Sequence, residues 1–327
     1  MIRRRTFVAG ALSVYATPLA AQGPPTREIA RIGFLSAETA AVEGVRLEAV
    51  RAGLRDLGYV EGKNIVIEAR WAEGNYDRLP DLAAELVRLK VDVLVTVGTK
   101  AVLGAKRATT TVPIVMGSSG DIVAIGLVAS LARPGGNITG STNAGRELGP
   151  KRLELLREAS PRITRAAYLV NPANPAFGPN LQAMWTTARS LNLELQPFEA
   201  RGPSELRSAF SEMTKRQMNA VVVQDETSFS GPNARAIADL ATKNRLPLAG
   251  GRGFGDAGGL IGYGANVREL ERRAAVFVDR ILKGAKPADL PIEQPSTFEL
   301  VVNVKTANAI GLRVPQELRG RADVVID

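Results

Sequence analysis

The 327-residue chain contains no cysteine and no histidine. Without cysteine there is no disulfide, no thiolate nucleophile and no point of lipid attachment. Without histidine, a His-based catalytic triad, an H-E-x-x-H zinc site and the commonest proton shuttle near neutral pH are all excluded. Aromatic residues make up only 5% of the chain, too few to suggest bases stacking along a basic groove. Long hydrophobic runs are missing too, since no later stretch reaches the roughly twenty apolar residues that a membrane-spanning helix needs.

What is present begins with arginine. Arg3, Arg4 and Arg5 precede a short apolar run at 7–15, and Leu19-Ala20-Ala21 stands before Gln22. This layout predicts a cleaved secretory peptide over residues 1–21 and a mature protein outside the cytoplasm. Residues 4–8 faintly resemble a twin-arginine signal, which leaves both that route and the ordinary secretory route open. Taking those three arginines from the 42 basic residues leaves 39 against 33 acidic ones, so the formal charge falls from +9 to +6. That excess reads as a solvated surface biased toward anionic ligands or a membrane partner, not as a nucleic-acid footprint. The mature length is sufficient for two domains.

Strand-length apolar runs alternate with stretches of helical period. Strands are expected at 30–36, 64–71, 91–97 and 112–116. Between them Val45, Leu47, Val50, Leu54 and Leu57 recur at helical spacing, as do Leu79, Leu82, Leu86 and Leu89. Further helices are expected at 99–108 and, capped by Asp121, at 122–132. Arg133-Pro134-Gly135-Gly136-Asn137 breaks the pattern, which then restarts with strands at 166–170, 193–198, 220–223 and 246–249. Helices near 147–159, 177–191, 204–216 and 232–244 separate them. The fold class this predicts is α/β, with two doubly wound parallel-sheet lobes.

Eight glycines fall within 250–264. A dinucleotide fingerprint would have to open a helix, whereas the next regular element reads as a strand at 260–263, so a turn-rich crossing between domains is expected instead of a cofactor loop. Asn266 and Glu269 form a capping box ahead of a helix whose Leu270, Ala274, Phe277 and Ile281 face inward, and Gly284 closes it. The tail adds a strand at 298–302 and a short helix ending at Gly311.

In open parallel sheets ligands sit beyond the carboxyl ends of the strands. The residues there are Ser36, Thr99, Ser118 and Ser119 in the first half, and Asn171, Asn174 and Asp225 in the second, with Tyr263 at the return crossing. The first set offers hydroxyls and helix-start N–H groups, which favour an anion. The second offers carboxylate and amide groups. Facing each other across a cleft, they suit a small ligand with a carboxylate and an amine, or with several hydroxyls. The same residues have structural uses: Thr99, Ser118, Ser119 and Asp121 as caps, Asn171 and Asn174 as turn formers, and Tyr263, Phe34, Phe229 and Trp71 as core. Neither a nucleophile, a metal cluster nor a G-x-S-x-G elbow accompanies Asp225 or Glu226, so binding without chemistry, cofactor or metal is expected. An exported α/β enzyme using Asp225 or Glu226 as base is the alternative. A ligand-sensing domain is another, although a helix-turn-helix would have to stand where the export signal stands.

Residues 54–64 (LRDLGYVEGKN), 127–140 (LVASLARPGGNITG), 283–291 (KGAKPADLP) and 298–303 (FELVVN) together resemble the tryptophan/tyrosine-type substrate-binding proteins of ABC transporters. The resemblance implies a type I periplasmic-binding fold: two α/β lobes joined by three crossings and hinged around one ligand, delivered to an ABC permease by a monomeric protein. It places lobe I at 27–142 plus 262–287 and lobe II at 143–261 plus 288–327. Thr99, Ser118 and Ser119 match by place the carboxylate-binding positions of such folds, and Asp225 the position that meets the ligand from the second lobe. The chain departs from the lipoprotein members in lacking the lipobox cysteine, which implies a freely soluble periplasmic protein of a Gram-negative cell. It departs again at 225–229, where only Phe229 is aromatic, which sets an aromatic amino acid in doubt.

Overall fold

The computed structural model describes residues 29–327; the expected signal peptide at 1–21 lies outside them. The chain begins with β1 (Ala30–Ser36), α1 (Ala40–Asp56), β2 (Ile65–Trp71), α2 (Leu79–Arg88), β3 (Val93–Val97), α3 (Thr99–Ala108), β4 (Ile114–Ser119) and β5 (Ile138–Thr142). These strands form an all-parallel sheet in the order β2-β1-β3-β4-β5. Successive side chains of a strand face opposite ways. Ile32 and Phe34 therefore enter one apolar cluster with α1, while Leu35 enters another with α2 and α3. A sheet so covered on both faces reads as nearly continuous aliphatic sequence, as β3 does.

The second lobe follows with α4 (Gly145–Ala159), β6 (Arg165–Val170), α5 (Phe177–Ser190), β7 (Glu194–Glu199), α6 (Pro203–Lys215), β8 (Ala220–Val223), α7 (Pro232–Lys243), β9 (Leu248–Gly250), α8 (Gly253–Asp256) and β10 (Ile261–Gly264). The chain then returns to the first lobe as α9 (Val267–Leu282), and ends with β11 (Glu299–Asn303), α10 (Val304–Ala309), α11 (Gln316–Gly320) and β12 (Val324–Ile326). The second sheet runs β12-β11-β10-β9-β8-β6-β7 and is parallel except where β10 meets β11. Helix α9 packs on α1 so closely that a Cβ on Gly53 would lie 2.2 Å from the carbonyl oxygen of Arg272. Only glycine admits that approach.

Four readings of the sequence change here. No helix forms over 122–132: Asp121 accepts from the Ala124 amide at 2.9 Å, and Gly126 takes a left-handed φ of 73°, so the segment folds as successive turns. Residues 262–264 belong to the second lobe and not the first, because β10 pairs with β9. The glycine-rich segment is accordingly not the crossing, which follows it at 265–266; its glycines let α8 lie directly on β10, where a Cβ on Gly262 would sit 2.2 Å from the Arg252 carbonyl oxygen. The third crossing also moves downstream of 287, since Glu293 still bridges to Ser141 beside the first sheet and Ile292 packs in its core.

Candidate functional site

A cleft of about 560 Å³ opens between the lobes at the carboxyl ends of β3, β4 and β8. On the first-lobe side Gly98, at φ 78°, starts α3 without a side-chain cap. The first amides of α3 thus offer donors and the positive end of the helix dipole. Beside them Thr99 Oγ1 and Ser119 Oγ lie 3.2 Å apart, and Thr99 Oγ1 accepts from the Gly120 amide at 3.1 Å. A Cβ on Gly98 would stand 2.7 Å from Thr227 Cγ2, so glycine is also what lets the lobes approach.

On the second-lobe side Asp225 sits between two glycines: a Cβ on Gly145 or on Gly251 would lie 3.2 or 3.1 Å from its carboxylate. Its Oδ2 is 3.0 Å from Arg152 Nη1, an ion pair that falls short of hydrogen-bond geometry. Arg152 is only 1% exposed, and its Nε donates to the Tyr263 carbonyl at 2.8 Å. Next along the chain, Glu226 reaches the first lobe: Lys100 Nζ is 3.3 Å from its Oε1, with the two side chains 9% and 2% exposed. Asn174 Nδ2 donates to the other oxygen of Glu226 at 2.7 Å. Lys100 also lies 3.5 Å over the Tyr76 ring, whose hydroxyl donates to Glu38. Burial lowers the Lys100 pKa and raises that of Glu38.

Of the eight candidates, Thr99, Ser118, Ser119, Asn174 and Asp225 line the cleft. Ser36, Asn171 and Tyr263 do not. Ser36 is fully buried, its Oγ turned to Glu43 and accepting from the Glu38 amide. Asn171 is likewise fully buried, spent on the Ala173 amide, the Arg201 carbonyl and Gln224. The ring of Tyr263 packs in the second-lobe core, tilted against Phe298.

The sequence reading missed Arg46, Lys100, Arg152 and Glu271. A signal existed on α1. Val45 and Leu57, counted on its apolar face, are 45% and 40% exposed, while Glu43 lies on the buried stripe with Leu47, Val50 and Leu54. Glu271 occupies the same kind of place on α9, among Ala274, Ala275 and Val278. A carboxylate on a buried stripe needs partners. Here Ser118 Oγ donates to Glu271 Oε1 at 2.8 Å and Arg46 Nη1 lies 3.3 Å from the same oxygen.

Burial drives the Glu271 carboxyl up to about 7, with Arg46 and Ser118 pulling it back toward the carboxylate range. Burial raises Glu43 as well. A raised carboxyl favours the protonated folded chain, so its stabilising contribution is complete below the ordinary value of about 4.3 and is lost as pH rises through about 7. Stability in urea is therefore expected to be higher at pH 5 than at pH 8, with Glu271 contributing on the order of 3 kcal/mol of the difference. Glu271→Gln should remove that share of the slope; an identical pH 5 to pH 8 difference in the variant would assign the effect elsewhere.

Two α/β lobes facing each other over a polar cleft define a solute-binding protein of the type I periplasmic-binding architecture. The chain belongs to the family described as ABC transporter substrate binding protein, which it matches over residues 36–326. That is a family of substrate-binding proteins and not of enzymes. The chain is 25% identical over 277 residues to the tyrosine-binding protein of Clostridioides difficile, covering 83% of this chain and 79% of that one. Its fold is similar to that of an ABC domain from Streptococcus pneumonia in complex with L-Trp, with a TM-score of 0.84 at 23% identity over 91% and 100% of the two chains. A ligand-free, open structure of a substrate-binding protein with adhesive properties from Clostridium difficile aligns with a TM-score of 0.63 at 22% identity, over 91% and 99%.

Proposed function

We propose that this protein captures an amino acid or related carboxylate in the periplasm by hinge closure and delivers it, chemically unchanged and as a monomer, to an ABC permease of the inner membrane. The observation that carries this reading is the opposition of two unlike polar surfaces across one cleft. The start of α3 with Thr99 and Ser119 receives a carboxylate; Asp225, held open between Gly145 and Gly251, receives an amine. Relatives named for tyrosine or described with L-Trp support an amino-acid ligand. Contacts that join the lobes, Lys100 to Glu226 and Ser230 to Glu43, support a closed arrangement, as does the higher TM-score to the ligand-bound relative than to the open, ligand-free one. The export signal read at 1–21 supports the compartment.

Thermal-shift screening of the chain from Gln22 against amino acids and carboxylates tests the proposal, because a ligand preferring the folded state raises the melting midpoint. For the best ligand, the double substitution Thr99→Ala, Ser119→Ala should weaken binding by about tenfold or more. Asp225→Asn should weaken binding of the amino acid but not of its deaminated analogue. Unchanged affinity in both variants would remove these residues from the site.

A further inference from the structure

Arg46 leaves α1 for the cleft with its side chain 15% exposed. Its Nε stands 3.1 Å from Glu43 Oε1, and its Nη1 donates to Ser118 Oγ at 3.1 Å and to Glu271 Oε1 at 3.3 Å. The side chains of both glutamates are fully buried. Nη2 has no acceptor among the described residues and is not among the enclosed polar atoms. A guanidinium is a rigid plane of five N–H donors, so anchoring two of its nitrogens fixes where the third points. Taking such a cluster out of water is costly, and a packed apolar core would serve stability as well or better. The cluster is thus a poor choice for stability and a good one for presenting a donor.

We propose that Arg46 is a specificity-determining residue of the cleft and that the ligand carries a second carboxylate, as in a dicarboxylic acid or an acidic amino acid, which Nη2 receives. The inference rests on the reading of the cleft as a carboxylate site and adds a requirement to it. Ser118 and Ser119 are neighbours at the end of β4 and point to opposite faces of the sheet. One is therefore bound to Arg46 on the α1 side and the other to Thr99 on the α3 side. This gives the first-lobe wall two separate anion-receiving groups instead of one. Among the other cations lining the cleft, Lys100 is paired with Glu226 and Arg252 with Asp256 and Glu299, while Arg268 is exposed and has no ion pair among the described residues. The lining offers one aromatic residue, Phe254, itself only 7% exposed, so there is little flat apolar surface to enclose a ring.

Calorimetric titration of the ligand-stripped mature chain tests this with matched probes: glutarate against its monoamide, L-glutamate against L-glutamine, and L-tyrosine and L-leucine as monocarboxylates. The wild type should prefer the dicarboxylate of each pair by about tenfold, the margin of a charge-assisted pair over a neutral one. Arg46→Gln should erase that preference, bringing the affinity ratio within each pair to within about threefold of one. Should Arg46→Gln unfold, the wild-type ratios decide alone, since they need no variant. Tighter binding of tyrosine or leucine than of either dicarboxylate would overturn the role of Arg46 and leave the carboxylate site standing. Binding of no carboxylate at all would overturn both.

Discussion

Replacing Lys100 with methionine is expected to open the cleft and weaken ligand capture by about a hundredfold. The Glu226 side chain is 2% exposed and, among the described residues, pairs with no cation but Lys100 from the opposite lobe. Removing one partner of a buried ion pair costs about 3–5 kcal/mol, because the other charge remains desolvated. Asn174 and Thr227 still donate to Glu226, which places the cost near the lower end of that range. Opening the lobes rehydrates Glu226 and removes the penalty, so the whole cost falls on closure, and about 3 kcal/mol is about two powers of ten in affinity. X-ray scattering of the ligand-free variant should show a larger radius of gyration than the wild type. Adding Glu226→Gln should restore most of the affinity by removing the stranded charge. A Lys100→Met protein as compact as the wild type, with equal affinity, would show that the pair does not hold the lobes together.

The second large effect is expected at Arg152, the largest of the almost fully buried side chains. Methionine in its place fills a similar volume but leaves the Asp225 carboxylate without its cation and the Tyr263 carbonyl without its donor. The expected loss is about 3 kcal/mol or more, which for a chain of this length lowers the melting midpoint by about 5 °C. Lysine is not a conservative replacement, since one ammonium cannot reach both partners as a planar fork does. Because Asp225 would lose its fixed position, ligand affinity should fall together with stability. Asp225→Asn in the Arg152→Met background should recover part of the midpoint. A midpoint unchanged by Arg152→Met alone would mean that the pair is neutral to folding.

The parts of this architecture that were legible in the sequence are those written in local periodicity. The strand expected at 30–36 is β1, the helix expected at 99–108 is α3, and Asn266 caps α9 by accepting from the Glu269 amide as its spacing with Glu269 indicates. The helix expected at 122–132 failed because a local competitor, the Asp121 side chain with a left-handed Gly126, satisfied the backbone as turns. Among candidate site residues the strand-end rule reached Thr99, Ser119, Asn174 and Asp225, but it also selected Ser36 and Asn171, whose polar atoms are consumed inside the fold. Strand ends say which residues are near a cleft, not which way their side chains turn.

The sequence by itself determined the alternating α/β pattern, its second run from the helix near 147–159 and the strand at 166–170, and the loops from which a ligand site is drawn, because each depends on residues close together along the chain. Only the tertiary structure decided that Arg46 meets Glu271 across 225 residues, Ser118 meets Glu271 across 153, and Lys100 meets Glu226 across 126. Charges so far apart carry no mutual signature in a single chain and read as solvated surface. Folding brings them into a shared low-dielectric space, where an unpaired charge is costly and a paired one becomes part of the site.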